Sequence, residues 1–316
     1  MSDNIDYLIL MLKWCFMYRQ IIIVSICIII TLFSLQAQDG ITFSFSIPSP
    51  NELSLIKMKG KSGITYVGSI IEHNQEELTI LTDEGPKITI SLSSVQDIRV
   101  IPKYQIHSGE YWYSNQNDSR YLFAPSAFNL KKGEGYYQNT NLLLNTFNYG
   151  ITDNFSMGFG FEFLSTLAYV AGLMNPSYFL IPKYSTQVSE NIRLGVGLLY
   201  GNIHFMGGFG VGYGLVTYGN PEHNATLGLG FGMFDREFSS HPVITLSGMT
   251  RLSRRFSLVT ENWFLTADNR YQGYYTSLGI RFLGEKEKFS VDIAVVNDIS
   301  KSNSSPIPYV DLVVKF

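Results

Sequence analysis

Charge is scarce in this chain. Only 16% of its 316 residues are Asp, Glu, Lys or Arg, and they sum to a net charge of -3. Soluble domains carry about 25% charged residues. The chain is therefore depleted in charge without being uniformly apolar, at a mean hydropathy of +0.07. A balance this close to neutral favours neither nucleic acid nor an anionic surface as a partner. Cysteine is nearly absent: Cys15 and Cys27 both lie before residue 36. Beyond that point no disulfide framework and no thiol chemistry can be built. The five histidines, His73, His107, His204, His223 and His241, show no H-x-x-x-H spacing, so no metal is expected and solvated loop histidine is the default.

One apolar run stands out. Residues 21–35 read IIIVSICIIITLFSL, preceded by Arg19 and followed by Gln36-Ala37-Gln38-Asp39. It is short for a membrane-crossing helix and fits a secretory signal. Residues 1–38 are taken as that signal, with Met17 as the start that puts Arg19 in the positive n-region and cleavage near Ala37. An uncleaved anchor over residues 7–35 would carry Lys13 and Arg19, at about 2.5–3.5 kcal/mol each near a helix centre. Ile26 before Cys27 has the wrong size for a lipoprotein acceptor site.

Residues 39–103 read as a small β domain. Five strand-like runs, 53–58, 64–71, 78–82, 87–92 and 95–101, are punctuated by Gly60, Gly63, Asn74-Gln75, Asp83-Glu84-Gly85-Pro86 and Ser93-Ser94. The pattern resembles an SH3-like or Sm-like barrel bent near Gly68. Sm-like folds often bind RNA, but a secreted chain meets none, and only Tyr66 supplies an aromatic of the kind such sites use. A scaffold or docking module for a periplasmic protein partner is the expectation. Residues 104–119, with Tyr111-Trp112-Tyr113, read as a linker whose aromatics settle near a membrane interface or pack on the small domain.

Aromatics are plentiful, with 20 Tyr and 22 Phe, and so is glycine, with 28. From residue 120 onward one unit returns. Asn154-Phe-Ser-Met-Gly-Phe-Gly160, Asn191-Ile-Arg-Leu-Gly-Val-Gly197, Asn224-Ala-Thr-Leu-Gly-Leu-Gly230, Arg255-Phe-Ser-Leu-Val-Thr-Glu261 and Lys288-Phe-Ser-Val-Asp-Ile-Ala294 start 37, 33, 31 and 33 residues apart. Each is a tight-turn residue followed by apolar–polar alternation, and the spacing suits one membrane hairpin. Return strands fall near 178–188, 209–218, 243–252 and 274–283. A first pair near 120–130 and 136–151 and a terminal strand bring the count to about twelve, an even number that puts both barrel ends on one side. The short connections near 152–154, 189–191, 221–224, 253–255 and 285–288 are assigned to the periplasmic side, and 166–176 and 301–306 to the outside.

The last eight residues, Tyr309-Val-Asp-Leu-Val-Val-Lys-Phe316, alternate in the same way, and a closed barrel removes the sticky edge such a strand would leave. The signal, the alternating repeat, the tight turns and the terminal strand resemble an outer-membrane β-barrel protein of Gram-negative bacteria over residues 120–316. The Arg120-Tyr-Leu-Phe-Ala-Pro-Ser-Ala-Phe and Lys132-Gly-Glu-Gly-Tyr-Tyr-Gln-Asn stretches resemble a family of such barrels without assigned activity. The resemblance implies outer-membrane location, lipid contact and insertion by the barrel-assembly machinery. It also implies a terminal recognition signal: Phe316 with Val314, Leu312 and Val310 at two-residue steps before it.

Alternation assigns Phe155, Met157, Phe159, Phe161, Phe163, Leu194, Val196, Leu227, Leu229, Leu278, Ile280, Phe282, Leu312 and Val314 to lipid. It assigns Glu162, Arg193, Glu261, Arg281, Asp292 and Asp311 to the lumen, with Gly158, Gly160, Gly195, Gly197, Gly210, Gly212, Gly214, Gly228 and Gly230. Lumen charges of both signs either line a narrow pore or pair across the barrel and block it; blocking is the expectation in a barrel this small. The run Gly208-Phe-Gly-Val-Gly-Tyr-Gly214 lacks the following helix of a dinucleotide loop, and the residues between its glycines are taken as lipid-type. A hydroxyl, an imidazole and a carboxylate gather only at Asp235, Ser239, Ser240 and His241. Their order does not match the outer-membrane phospholipase, and a loop preorganises poorly. A non-enzymatic barrel without cofactor is therefore favoured over a loop-based lipid or peptide hydrolase.

Overall fold

A computed structural model describes residues 47–49, 52–59, 64–82, 85–107, 110–115, 117–204, 207–234, 237–266, 273–284, 288–301 and 304–316. The signal segment, Cys15, Cys27 and Asp235 lie outside them. The chain divides into two compact units, Met1–Ile101 and Pro102–Phe316.

In the first unit, β1 (Leu53–Met58), β2 (Thr65–His73), β3 (Glu77–Thr82), β4 (Lys87–Ser91) and β5 (Val95–Val100) form one antiparallel sheet in the order β4-β3-β2-β1-β5. Alternate residues supply its core, among them Ile56, Ile70, Leu78, Ile80 and Ile90. Residues 92–94 make a 3-10 turn before β5. The register shift in β2 falls between Ile70 and Glu72 and not at Gly68. Gly68 serves a different need: a Cβ there would stand 2.4 Å from the Leu81 carbonyl oxygen, so the glycine lets β3 lie close.

The second unit begins with a short hairpin, β6 (Ile106–His107) and β7 (Glu110–Tyr111). Trp112 stacks on His107 at 3.7 Å between ring centroids. Twelve strands then close into a barrel: β8 (Gly135–Thr140), β9 (Leu144–Gly150), β10 (Phe155–Glu162), β11 (Tyr178–Ser189), β12 (Ile192–Ile203), β13 (Gly207–Gly219), β14 (His223–Phe234), β15 (Glu237–Arg251), β16 (Phe256–Leu265), β17 (Gly273–Leu283), β18 (Phe289–Asp298) and β19 (Ile307–Lys315). The ladder runs without a break, and β19 pairs with β8 from Asp311↔Thr140 to Lys315↔Tyr136. Each residue assigned above to lipid is at least partly exposed. In β19, Val310, Leu312 and Val314 are exposed, as is Phe316 after it, while Tyr309, Asp311 and Val313 are buried.

The predicted number of strands is right, but the first two are misplaced. Residues 120–130 form no barrel strand, and the closing strand does not pair with them. Residues 136–151 are instead two strands, split where Asn141 and Leu142 adopt φ of 49° and 64°. Two consecutive left-handed residues make a tight hairpin turn of the type that matches strand twist. No glycine announces it. The connection expected over 166–176 contains a helix, α1 (Phe163–Val170). The Glu162 carboxylate caps it, accepting from the Leu164 and Ser165 backbone N–H groups at 2.8 and 2.6 Å, and Gly172 ends it at φ 73°. Phe163, read as lipid-facing strand, is its first residue.

One strand is turned over relative to expectation. Phe209, Val211, Tyr213 and Leu215 of β13 line the lumen, so Gly210, Gly212 and Gly214 face outward, where a Cβ at Gly212 or Gly214 would meet nothing within 4 Å. The register explains it. Thr217, Leu215 and Tyr213 stand opposite Thr226, Gly228 and Gly230 of β14, and directly paired residues share a face. Leu215, Tyr213 and Val211 thus gain room from the glycines opposite them, Gly228, Gly230 and Gly232. Tyr213 also lies over Gly197, where a Cβ would be 2.4 Å from the ring.

Candidate functional site: a plugged lumen

Residues 113–115 and 117–130, expected as the end of a linker and a first strand, are threaded into the lumen. Pro125 explains why they form no central strand, since it has no N–H to give to a ladder. Tyr121, Leu122, Ala124, Ser126, Ala127, Phe128 and Leu130 are buried. Residues 119–126 fold back on themselves: Tyr121 N–H donates to the Ala124 carbonyl at 2.9 Å, and Ser126 N–H to Ser119 at 3.0 Å. The Arg120 guanidinium braces this loop by donating to the Tyr121 and Leu122 carbonyls at 3.0 and 2.6 Å.

Inward charges of the wall hold the insert by its backbone. The Glu261 Oε2 atom accepts three consecutive N–H groups, from Leu122, Phe123 and Ala124, at 2.8, 2.9 and 2.8 Å. Its Oε1 atom accepts from the Trp263 indole at 2.7 Å. Arg281 makes a bidentate pair with Asp292, both bonds at 2.8 Å, and donates to the Asn117 and Tyr121 carbonyls at 2.6 Å each. Lys183 Nζ donates to the Ser119, Ser126 and Phe128 carbonyls at 3.1, 3.0 and 2.6 Å. Asp311 accepts from Arg120 at 2.5 Å and from the Tyr309 hydroxyl at 2.9 Å. A backbone carried through a closed lumen needs partners for its polar groups, and the wall supplies them at fixed positions.

Of the six expected lumen charges, Glu261, Arg281, Asp292 and Asp311 meet around the insert. Arg193 also reaches the insert, its guanidinium 5.0 Å from the Phe128 ring centroid, and donates to Gln187 at 2.7 Å. Glu162 stands at the opposite rim as the cap of α1. Sequence reasoning missed Arg120, Lys183 and the buried pair of Arg251 with Glu222, at 2.7 Å. Lys183 was readable: in β11 it shares its parity with Phe179, Ile181 and Ser185, while Leu180 and Tyr184 are exposed. Arg120 was hidden by the strand assigned over it.

The insert fills the end of the barrel that carries the short connections. Asn115 N–H donates to Glu222 at 2.9 Å, next to the turn between β13 and β14, and Arg251 donates to the Tyr113 carbonyl at 3.1 Å. Beyond the loop tip a cavity of about 860 Å³ reaches toward the opposite rim, lined by Phe123, Leu199, Val211, Val243 and, near α1, Leu164 and Met174.

The expected loop-based catalytic cluster is not a loop. Ser239, Ser240 and His241 belong to β15, where neighbours alternate between faces. The His241 ring lies 3.3 Å from the Ser240 hydroxyl, and the Ser239 hydroxyl bonds the backbone of His241 at 3.2 Å.

No family model matches the sequence, and no curated protein matches it. Similar solved structures include the KdgM porin in complex with disordered oligogalacturonate, at 6% identity over 58% of this chain and 96% of that one, with a TM-score of 0.43. Another is the NanC porin, at 9% identity over 58% and 98%, with a TM-score of 0.39. A third is OmpT lacking loop L8, an outer-membrane protein of Vibrio cholerae, at 11% identity over 84% and 96%, with a TM-score of 0.33. The chain is an outer-membrane-type β-barrel. That statement rests on its own closed ladder and exposed apolar wall; the likeness to these porins concerns the fold.

Proposed function

We propose that this protein is a non-enzymatic outer-membrane barrel kept shut by its own chain, with residues 113–130 as the plug. The single observation that carries this is the capture of three consecutive backbone N–H groups of the insert by Glu261. A buried carboxylate that bonds a run of backbone amides fixes the insert at one depth. Removing such a partner leaves several buried groups unsatisfied, at about 1–3 kcal/mol each. Charges left facing an open pore would be bonded to water; here they are bonded to the plug.

On this reading the rim with the short connections and both barrel ends faces the periplasm. The five-stranded unit lies there as a docking module for a periplasmic protein partner. The alternating wall contacts outer-membrane lipid, and the pattern ending at Phe316 is what the barrel-assembly machinery reads. The test is planar-bilayer recording of refolded protein beside a variant whose residues 114–130 are replaced by a Gly-Ser linker. The intact protein is expected to stay closed and the variant to conduct; equal conductance in both would refute the plug.

A further inference from the structure

The geometry points to a binding site for an uncharged, largely apolar molecule in the half of the lumen that the plug leaves empty. This rests on the plugged reading, which gives the cavity its floor. At about 860 Å³ the space is within the usual range of ligand pockets. Its lining is mostly apolar on one side. From β12, β13 and β15 come Leu199, Phe209, Val211, Leu215 and Val243, interrupted by the neutral polar groups of Asn202, Tyr213 and Thr245. Far round the ring, β8 and β9 contribute Gln138, Thr146 and Asn148, which are polar but neutral.

Phe123, at the tip of the plug, stands into this space with 48% of its surface uncovered although it lies inside the barrel. A water-filled channel gains nothing from an aromatic ring at its floor. An apolar ligand would cover that ring, at about 25 cal/mol per Å² of apolar surface removed from water.

The exclusion of charge follows from bonds already made. Three lining side chains carry a full charge in water: Arg120, Lys183 and Glu162. Arg120 is paired with Asp311. Lys183 directs three bonds to plug carbonyls, and Glu162 caps α1. None is left to neutralise an ionic ligand, and an unpaired charge buried against an apolar wall is costly. A hydroxyl or carbonyl, by contrast, can meet the neutral polar wall. The ligand class is therefore a long-chain alcohol, ester or similar uncharged amphipathic molecule.

Full-length protein in phosphatidylcholine nanodiscs is titrated with bromoundecanol, whose bromine quenches tryptophan emission on contact. Trp263 lines the cavity, so a saturable quench is expected, and it should vanish in Trp263→Phe. Val211→Phe, which fills the cavity, should weaken binding at least about tenfold, while Val216→Phe, on the outer face of the same strand, should leave it unchanged. Decanol should displace the probe, with decanoate and decyltrimethylammonium at least about tenfold weaker. Each variant is first checked for heat-modifiable migration, so that loss of binding is read only on closed barrels. Absence of a saturable quench in the intact barrel, equal loss in Val211→Phe and Val216→Phe, or equal competition by decanoate would overturn the site. Conductance is read separately: a closed bilayer with no probe binding removes the site and leaves the plug, whereas a conducting intact protein removes the plug itself.

Discussion

At the scale of single residues, the lumen charges act on backbone more than on one another. Glu261 has no cation within ion-pairing distance among the described residues; its partners are the three plug amides and an indole. Glu261→Ala should therefore free the plug while leaving the ladder intact, at roughly 1–3 kcal/mol for each buried N–H left without a partner. Hydrogen exchange checks this: amides 122–124 should lose protection in the variant while those of β12 to β15 keep theirs. Lys183→Met should act in the same direction, because three plug carbonyls lose a common donor. An unchanged exchange pattern in both variants would show that packing, not these bonds, holds the insert. Inward direction was legible in the sequence for Glu261, Arg281, Asp292 and Asp311, since strand parity alone gives it. What they bind was not, because a backbone partner carries no side-chain signature.

At the scale of elements, the repeat starting at Asn154 made β10 to β18 readable to within a few residues, save that β15 begins at Glu237, six residues before the start read for it, because tight turns and alternation reinforce each other there. Reading failed where one of the two signals is missing. The turn at Asn141-Leu142 has no glycine, so a hairpin passed for one long strand. In β13 glycine occupies every second position, and pattern alone cannot say which parity faces lipid. Cross-strand pairing decides, and it puts Tyr213 against Gly197 and Gly230. Gly197→Leu should consequently displace the Tyr213 ring and lower the thermal stability of the barrel; heat-modifiable migration at a lower temperature is the expected readout. The closing strand carries a second tight fit. The Phe316 ring covers Gly135, where a Cβ would come within 2.5 Å of it, and the two residues exchange backbone bonds at 2.8 and 2.9 Å. Deleting Phe316 should reduce outer-membrane levels more than the loss of one exposed side chain explains, as measured by quantitative blotting of membrane fractions. Normal levels would count against the terminal signal.

At the scale of the whole molecule, low charge, abundant aromatics and an even strand number pointed to a barrel, and the closed ladder of twelve strands bears that out. The five-stranded unit was also legible, because five short alternating runs leave few other arrangements. It has its own core around Ile56, Ile80 and Ile90, so residues 47–101 should fold when expressed alone, with a cooperative thermal transition followed by circular dichroism. A domain of this size buries only about 60% of its unfolded surface, so that transition should lie well below that of the barrel. The plug was the part that sequence concealed: residues 113–130 carry turn-forming Ser, Asn, Asp and Pro but no sustained alternation, and their conformation is set by the lumen around them. Whether they close the barrel is read by single-channel recording of the intact, refolded protein. Silent bilayers are expected at all moderate voltages, with conductance appearing when the plug is replaced; a steady open channel in the intact protein would show that the insert does not shut the lumen.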